Sequence, residues 1–254
     1  MKRILLFAMA MIACVSMNAQ GITTATVTGK ITDEKGNELI GATVTALHVP
    51  SGSMYGNTTN VDGRFAIPGL RIGGPYKITA SYVGFQEFYV DNVYLNLGQE
   101  FVFTAKLTED GVLVDEIVIT SARNAILNSK KNGTGTNIGS QAINSLPTLS
   151  RSISDFTRLT PQANGRSFSG ADARFNNITL DGSIFNNSFG LSDIPGGQTN
   201  STPFSLDAVE QIQVNIAPFD VRQGGFTGAG VNVVTRSGTN ELSGSVFAIT
   251  RSQN

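Results

Sequence analysis

Between Thr24 and Leu107 apolar and polar residues alternate in short runs, and turn signals interrupt them about every ten residues, a pattern that few folds satisfy. In Thr24 to Thr32, Ala25, Val27 and Gly29 fall on one side and Thr24, Thr26 and Thr28 on the other. Successive side chains of a strand point to opposite faces, so this spacing predicts a half-buried strand. Leu39 to Leu47 predicts the next, with Ala42, Val44 and Ala46 set against Thr43 and Thr45. Arg64 to Ile67, Tyr76 to Val83, Phe88 to Leu95 and Glu100 to Leu107 continue the series. Asp33-Glu34-Lys35-Gly36-Asn37 and Asn60-Val61-Asp62-Gly63 read as turns, with Gly36 free to take positive φ. Short strands joined by tight turns predict an antiparallel β-sandwich over residues 22–107.

The same residues carry a resemblance. Val27 to Ala46 (VTGKITDEKGNELIGATVTA), followed by Asn60 to Ile67 (NVDGRFAI), resembles the carboxypeptidase-regulatory-like domain. That resemblance implies a small prealbumin-like β-sandwich and no catalysis. Glu38 stands where the family often has Pro. The acidic turns at Asp33, Glu34 and Asp62 lack the oxygen ligands at fixed spacing, closed by Glu, that a calcium loop requires. His48, with no second His and no Cys beside it, reads as a strand-end residue.

Residues 108–124 form a linker holding an apolar run from Val112 to Thr120. Two readings fit it. It is the last strand of the first domain, which the pattern alone favours, or an extended segment offered to the sheet edge of another protein. Beyond Asn124 the chain becomes rich in Asn, Gly and Ser, and residues 125–240 read as a mixed α/β domain with long loops. Short helices are predicted at Gly139 to Leu146, at Ser150 to Leu159 with Ser150 or Ser152 as cap, and at Ser205 to Val209. Strands are predicted at Arg174 to Leu180, Gln211 to Ile216 and Val231 to Thr235, with a tight turn at Asp181-Gly182 and a loop from Gly165 to Asp172.

Several blocks of this second half resemble, in order, the plug domain of TonB-dependent outer-membrane receptors. They are Ser145 to Gln162 (SLPTLSRSISDFTRLTPQ), Arg174 to Gly182 (RFNNITLDG), Leu206 to Val214 (LDAVEQIQV) and Ala217 to Asn240 (APFDVRQGGFTGAGVNVVTRSGTN). The group most similar is the Oar-like receptors of the Bacteroidetes type, which pair a carboxypeptidase-like domain with a plug. The resemblance implies a mainly β chain, a prealbumin-like sandwich followed by an α+β plug domain. It also makes Asp115, Glu116, Ile117, Val118, Ile119 and Thr120 resemble the TonB box, the segment grasped by the C-terminal domain of TonB, which works with ExbB and ExbD. The implied partners are TonB, the outer membrane, and a barrel of about 22 strands that the plug would fill. Residues 241–254 offer at most a first barrel strand, Glu241 to Thr250, so the barrel is expected in a longer reading frame or lost by truncation.

Composition narrows the remaining choices. Lys2 and Arg3 precede an apolar core from Ile4 to Val15, too short to span a bilayer, and residues 1–19 read as a signal peptide cut after Ala19. A lipoprotein signal through Cys14 is the less favoured alternative. Cys14 is the only cysteine, so a chain cut after Ala19 has no thiol chemistry. A net charge of −1 and the lack of a basic block argue against nucleic-acid binding. Gly224 to Gly230 is Gly-rich but has no Lys and runs into the apolar Val231-Asn232-Val233-Val234, so it reads as a bend rather than a phosphate cradle. Asp155, Asp181, Asp207 and Asp220 each fit a cap or turn, and a Ser-His-Asp triad would need His48 from the other domain.

The expected function is therefore non-enzymatic and without cofactor: the periplasm-facing part of an outer-membrane active transporter, whose plug gates uptake under TonB control. The alternative is a soluble periplasmic β-sandwich protein that holds glycan or peptide. A secreted hydrolase is disfavoured for want of a nucleophile or metal set, and the transported substrate is not written in this stretch of sequence.

Overall fold

The computed structural model describes residues 23–110, 134–146, 148, 152–186, 204–218, 223–242 and 244. The first seven strands are β1 (Ala25–Asp33), β2 (Thr43–His48), β3 (Ser53–Thr58), β4 (Arg64–Leu70), β5 (Gly73–Ser81), β6 (Phe88–Leu95) and β7 (Glu100–Leu107). They form two sheets, ordered β4-β1-β7 and β3-β2-β5-β6. The alternation dictates the packing: Val27, Ile31, Phe65, Ile67, Phe103 and Leu107 from the first sheet meet Val44, Ala46, Tyr76, Ile78, Ala80 and Leu95 from the second in one core. Burying a large side chain of this kind contributes about 1.5–3 kcal/mol.

Three expectations need correction here. The sandwich is not wholly antiparallel, because β1 and β7 run parallel from Thr26↔Glu100 to Asp33↔Leu107. The strand expected from Leu39 begins only at Thr43, since Thr59 captures the backbone on the way in: its hydroxyl accepts from Ala42 N at 2.9 Å and donates to the Leu39 carbonyl at 2.5 Å. An unexpected edge strand, β3, pairs with β2 from Thr43↔Thr58 to His48↔Ser53.

The turns form as their residues require. Asp33 accepts from the Asn37 backbone N–H and the Asn37 side-chain amide, each at 2.8 Å, while Gly36 takes φ +89°. Asn60 Oδ1 accepts from Asp62 N at 3.0 Å and Arg64 N at 2.9 Å, closing the turn into β4.

The second unit contains β8 (Thr134–Gly139), α1 (Ser140–Ser145), α2 (Ile153–Thr157), β9 (Ala163–Asn164), β10 (Ser167–Phe168), β11 (Asn177–Leu180), β12 (Ser183–Ile184), β13 (Val209–Ala217) and β14 (Gly230–Thr235). Its main sheet is ordered β12-β11-β14-β13-β8, with β11 and β14 parallel. Ile212, Val214, Val231 and Val233 face α1 and α2, and Ile143 and Phe156 complete a core separate from that of the sandwich.

The expected short helices form in reduced form. Ser152 caps α2 in a capping box with Asp155, so the helix ordered by the cap is shorter than Ser150 to Leu159. Ser205 caps a 3-10 turn, Leu206–Ala208, rather than an α-helix reaching Val209, because Val209 is already extended in β13. The stretch expected as a strand from Arg174 starts as a 3-10 turn, Ala173–Phe175, held by Asp172, whose carboxylate accepts from Arg174 N at 2.9 Å. The loop expected from Gly165 contains β10, which hairpins onto β9 and delivers Phe168 to the core. β8 was not expected at all. Asp181 and Gly182 form the tight turn foreseen for them, at φ +49° and +81°. Of the suggested first barrel strand, only Glu241, Leu242 and Gly244 lie among the described residues, and none of these is in a strand.

Candidate functional site

The segment Asp115 to Thr120, singled out as TonB-box-like, lies outside the described residues. The structure fixes the chain on either side of it. After β7 the backbone runs beside the β5–β6 connection, with Gln86 N donating to Thr108 O at 2.8 Å and Asp110 N to Gly84 O at 2.9 Å. The chain resumes at Thr134 in β8, which is an edge of the second sheet and pairs with β13.

That sheet has two unlike faces. One is the apolar core face. On the other, Gln211, Gln213 and Asn215 alternate along β13, with Asn232 of β14 beside Gln213 and Thr179 of β11 beside Asn232. The amides are linked across the strands. Thr179 Oγ1 donates to Asn232 Oδ1 at 2.5 Å, Asn232 Nδ2 to Gln213 Oε1 at 3.4 Å, and Asn215 Nδ2 to Gln213 Oε1 at 3.2 Å and Gln223 Oε1 at 2.7 Å. Gln211 is 2% exposed and Asn215 is 8% exposed, so these two amides are covered rather than open to water, while Gln213 and Asn232 beside them are half-buried. Gly135 on β8 keeps close quarters here: a Cβ would come within 2.5 Å of Asn215 Oδ1.

The cover over Gln211 is the sandwich. The turn between β6 and β7, Asn96 to Gln99, closes with Gln99 N donating to Asn96 O at 3.0 Å. Leu97 N donates to Gln211 Oε1 at 3.1 Å, Gln211 Nε2 donates to Asn96 Oδ1 at 3.3 Å, and Gln213 Nε2 donates to Leu97 O at 3.4 Å. Two further points of the sandwich's same end approach the second unit. Glu210 lies against Gly73, where a Cβ would meet Glu210 Oε1 at 2.7 Å, and Asn240 N donates to Pro50 O at 3.1 Å. Glu210 is itself placed by Ser140 Oγ, which donates to it at 3.1 Å, and by Arg236 Nε at 3.8 Å.

His48 closes β2 as foreseen. The residue is 6% exposed, and its ring lies 4.8 Å from the Tyr76 ring and shares a 2.6 Å hydrogen bond with Ser51 Oγ. Burial, and then the nearby Arg71 charge, hold its pKa below the usual imidazole value. Asp155 and Asp207 serve helix caps and Asp181 a turn, where it accepts from Thr235 N at 2.9 Å and Thr235 Oγ1 at 2.8 Å; Asp220 lies outside the described residues. In the Gly-rich stretch a Cβ at Gly228 would overlap Asn176 Oδ1, and one at Gly230 would come within 2.9 Å of the Phe226 ring. Sequence reasoning passed over Gln211 and Gln213 because they occupy the polar half of an alternating strand. The available signal was chemical: three amides and no charge at Gln211, Gln213 and Asn215, where a solvent face usually mixes in Lys or Glu.

Comparisons with known proteins bear on the two halves unequally. The TonB-dependent transporter Oar of Myxococcus xanthus is 32% identical over 102 residues, covering 39% of this chain and 9% of that protein. The chain thus spans about a tenth of the length of this relative. Among solved structures, 3-chlorocatechol 1,2-dioxygenase from Rhodococcus opacus 1CP aligns over 35% of this chain and 61% of its own at 10% identity and TM-score 0.30. A cohesin–X-dockerin complex from Acetivibrio cellulolyticus aligns over 33% and 56% at 20% identity and TM-score 0.26. Scores this low transfer nothing from those proteins to this chain. Residues 26–108 match the carboxypeptidase regulatory-like domain, and the sandwich built from β1 to β7 is that domain.

Proposed function

We propose that this chain carries the accessory sandwich, TonB box and plug of a TonB-dependent outer-membrane transporter, and that it acts by binding and gating rather than by catalysis. The observation that carries this reading is the 32% identity to a TonB-dependent transporter over 102 residues. The ordered plug-like blocks from Ser145 to Asn240 support it, as does a second unit whose sheet has its own core behind long connections. In this reading TonB adds a strand to Ile117, Val118 and Ile119, while Asp115 and Glu116 attract a basic partner. Tension on that segment then reaches the second unit through β8, the first strand after it among the described residues. Elements with few buried contacts open first, which gives a gate without unfolding the whole.

Titration of the chain with purified TonB C-terminal domain tests the reading. Binding is expected, and Ile117→Pro, which removes a backbone donor, is expected to abolish it with both cores intact. An affinity unchanged by Ile117→Pro overturns it, and recovery of the product as a soluble periplasmic protein would favour glycan or peptide binding by the sandwich instead.

A further inference from the structure

We propose that the sandwich is a brace for the second sheet, docked through a glutamine clamp in which Gln211 and Gln213 grip the backbone of Leu97. In a β-turn the second residue leaves its N–H and C=O pointing outward, and in an exposed turn water takes both. Leu97 is that residue in the Asn96 to Gln99 turn, yet it is only 3% exposed, and both of its backbone groups are taken by side chains of β13. A turn buried in this way must be satisfied by whatever covers it, because unpaired buried backbone groups are rare. Gln99 Oε1 accepts from Asn96 N at 2.8 Å and from Asn96 Nδ2 at 3.0 Å, which leaves Asn96 Oδ1 aimed outward as acceptor for Gln211 Nε2. Donors and acceptors therefore match along the whole chain of amides.

The apolar contribution points the same way. Leu97 and Ile72 are both buried, yet neither belongs to the core of the sandwich or of the second unit. The contact reaches the sheet near the edge formed by its described strands, since β13 pairs with β8 at the end of that order and Gln211 lies opposite Gly139. Gly73 against Glu210 and Pro50 against Asn240 add two more points on the same end of the sandwich. The accessory domain is thus part of the mechanical frame of the second sheet, and this holds whether or not TonB is the partner.

Hydrogen exchange on the full chain tests it through the amide at position 97 and the amides of β8. The double variant Gln211→Ala/Gln213→Ala is expected to speed exchange at position 97 at least tenfold and across β8 at least threefold, with Ile78 and Val233 in the two cores unchanged. Leu97→Ala attacks the same contact from the other side, on a residue outside the sandwich core, and is expected to accelerate the same amides. An unprotected amide at Leu97 in the unaltered chain, or rates at position 97 unchanged in both variants, overturns the docking. Accelerated exchange at position 97 with β8 unchanged overturns the brace.

Discussion

Gly29 on β1 lies directly against the carbonyl of Phe103, its partner on the parallel strand β7, and a Cβ at position 29 would overlap that oxygen. Backbone cannot give way there as a flexible side-chain tip would. Gly29→Ala is therefore expected to cost about 3 kcal/mol, at the upper end of overpacking penalties. Urea unfolding of the chain should show a lower midpoint for the sandwich with an unchanged slope.

The environment of His48 sets a pH dependence. Its folded pKa is held below its unfolded one, so the folded state binds fewer protons. The stabilisation is complete above the ordinary imidazole pKa of about 6.5 and is lost as pH falls from there toward the lowered folded value. The sandwich should be more stable at pH 8 than at pH 5, and His48→Gln should remove that part of the difference in urea midpoints.

Asp181 combines two tasks: it holds φ +49° in a turn and accepts two hydrogen bonds from Thr235. Asp181→Ala loses both bonds and places a residue poorly suited to positive φ there, for an expected cost of about 2 kcal/mol. Asp181→Asn keeps the turn preference and one acceptor, and should cost less than half as much by thermal unfolding.

Asp172 reports local order by titration. The Arg174 side-chain hydrogen bond, then that of its backbone, lowers the Asp172 carboxyl from 3.8 to about 2. A depressed carboxylate favours the folded turn above pH 3.8, and that preference is lost as pH falls through about 2. An NMR titration should place its midpoint near 2, and Arg174→Ala should return it toward the ordinary carboxylate range.

The strands with an inward apolar row, such as β1 with Ala25, Val27 and Ile31, were legible because burial follows a period of two. β3 was not, since Ser53 to Thr58 lies at a sheet edge and exposes Met54, Gly56, Asn57 and Thr58, leaving no apolar row to read. β8 hid for a related reason: Thr134 to Gly139 offers one aliphatic side chain, Ile138. The parallel pairing of β1 with β7 joins residues more than 70 positions apart, and no local pattern encodes such a register. The clamp was invisible for the opposite reason. Gln211 and Gln213 look like solvent-facing residues until the Asn96 to Gln99 turn is placed over them.

The clamped turn stands just before β7 and the exit at Asp110 lies past its far end, with the eight residues of the strand, about 27 Å, between them. A tug on that exit, resisted at the clamp, is carried by the covalent backbone of β7 itself, and the hydrogen bonds that join β7 to β1 bear little of it. The pull thus crosses the sandwich along a single strand and need not part its sheets.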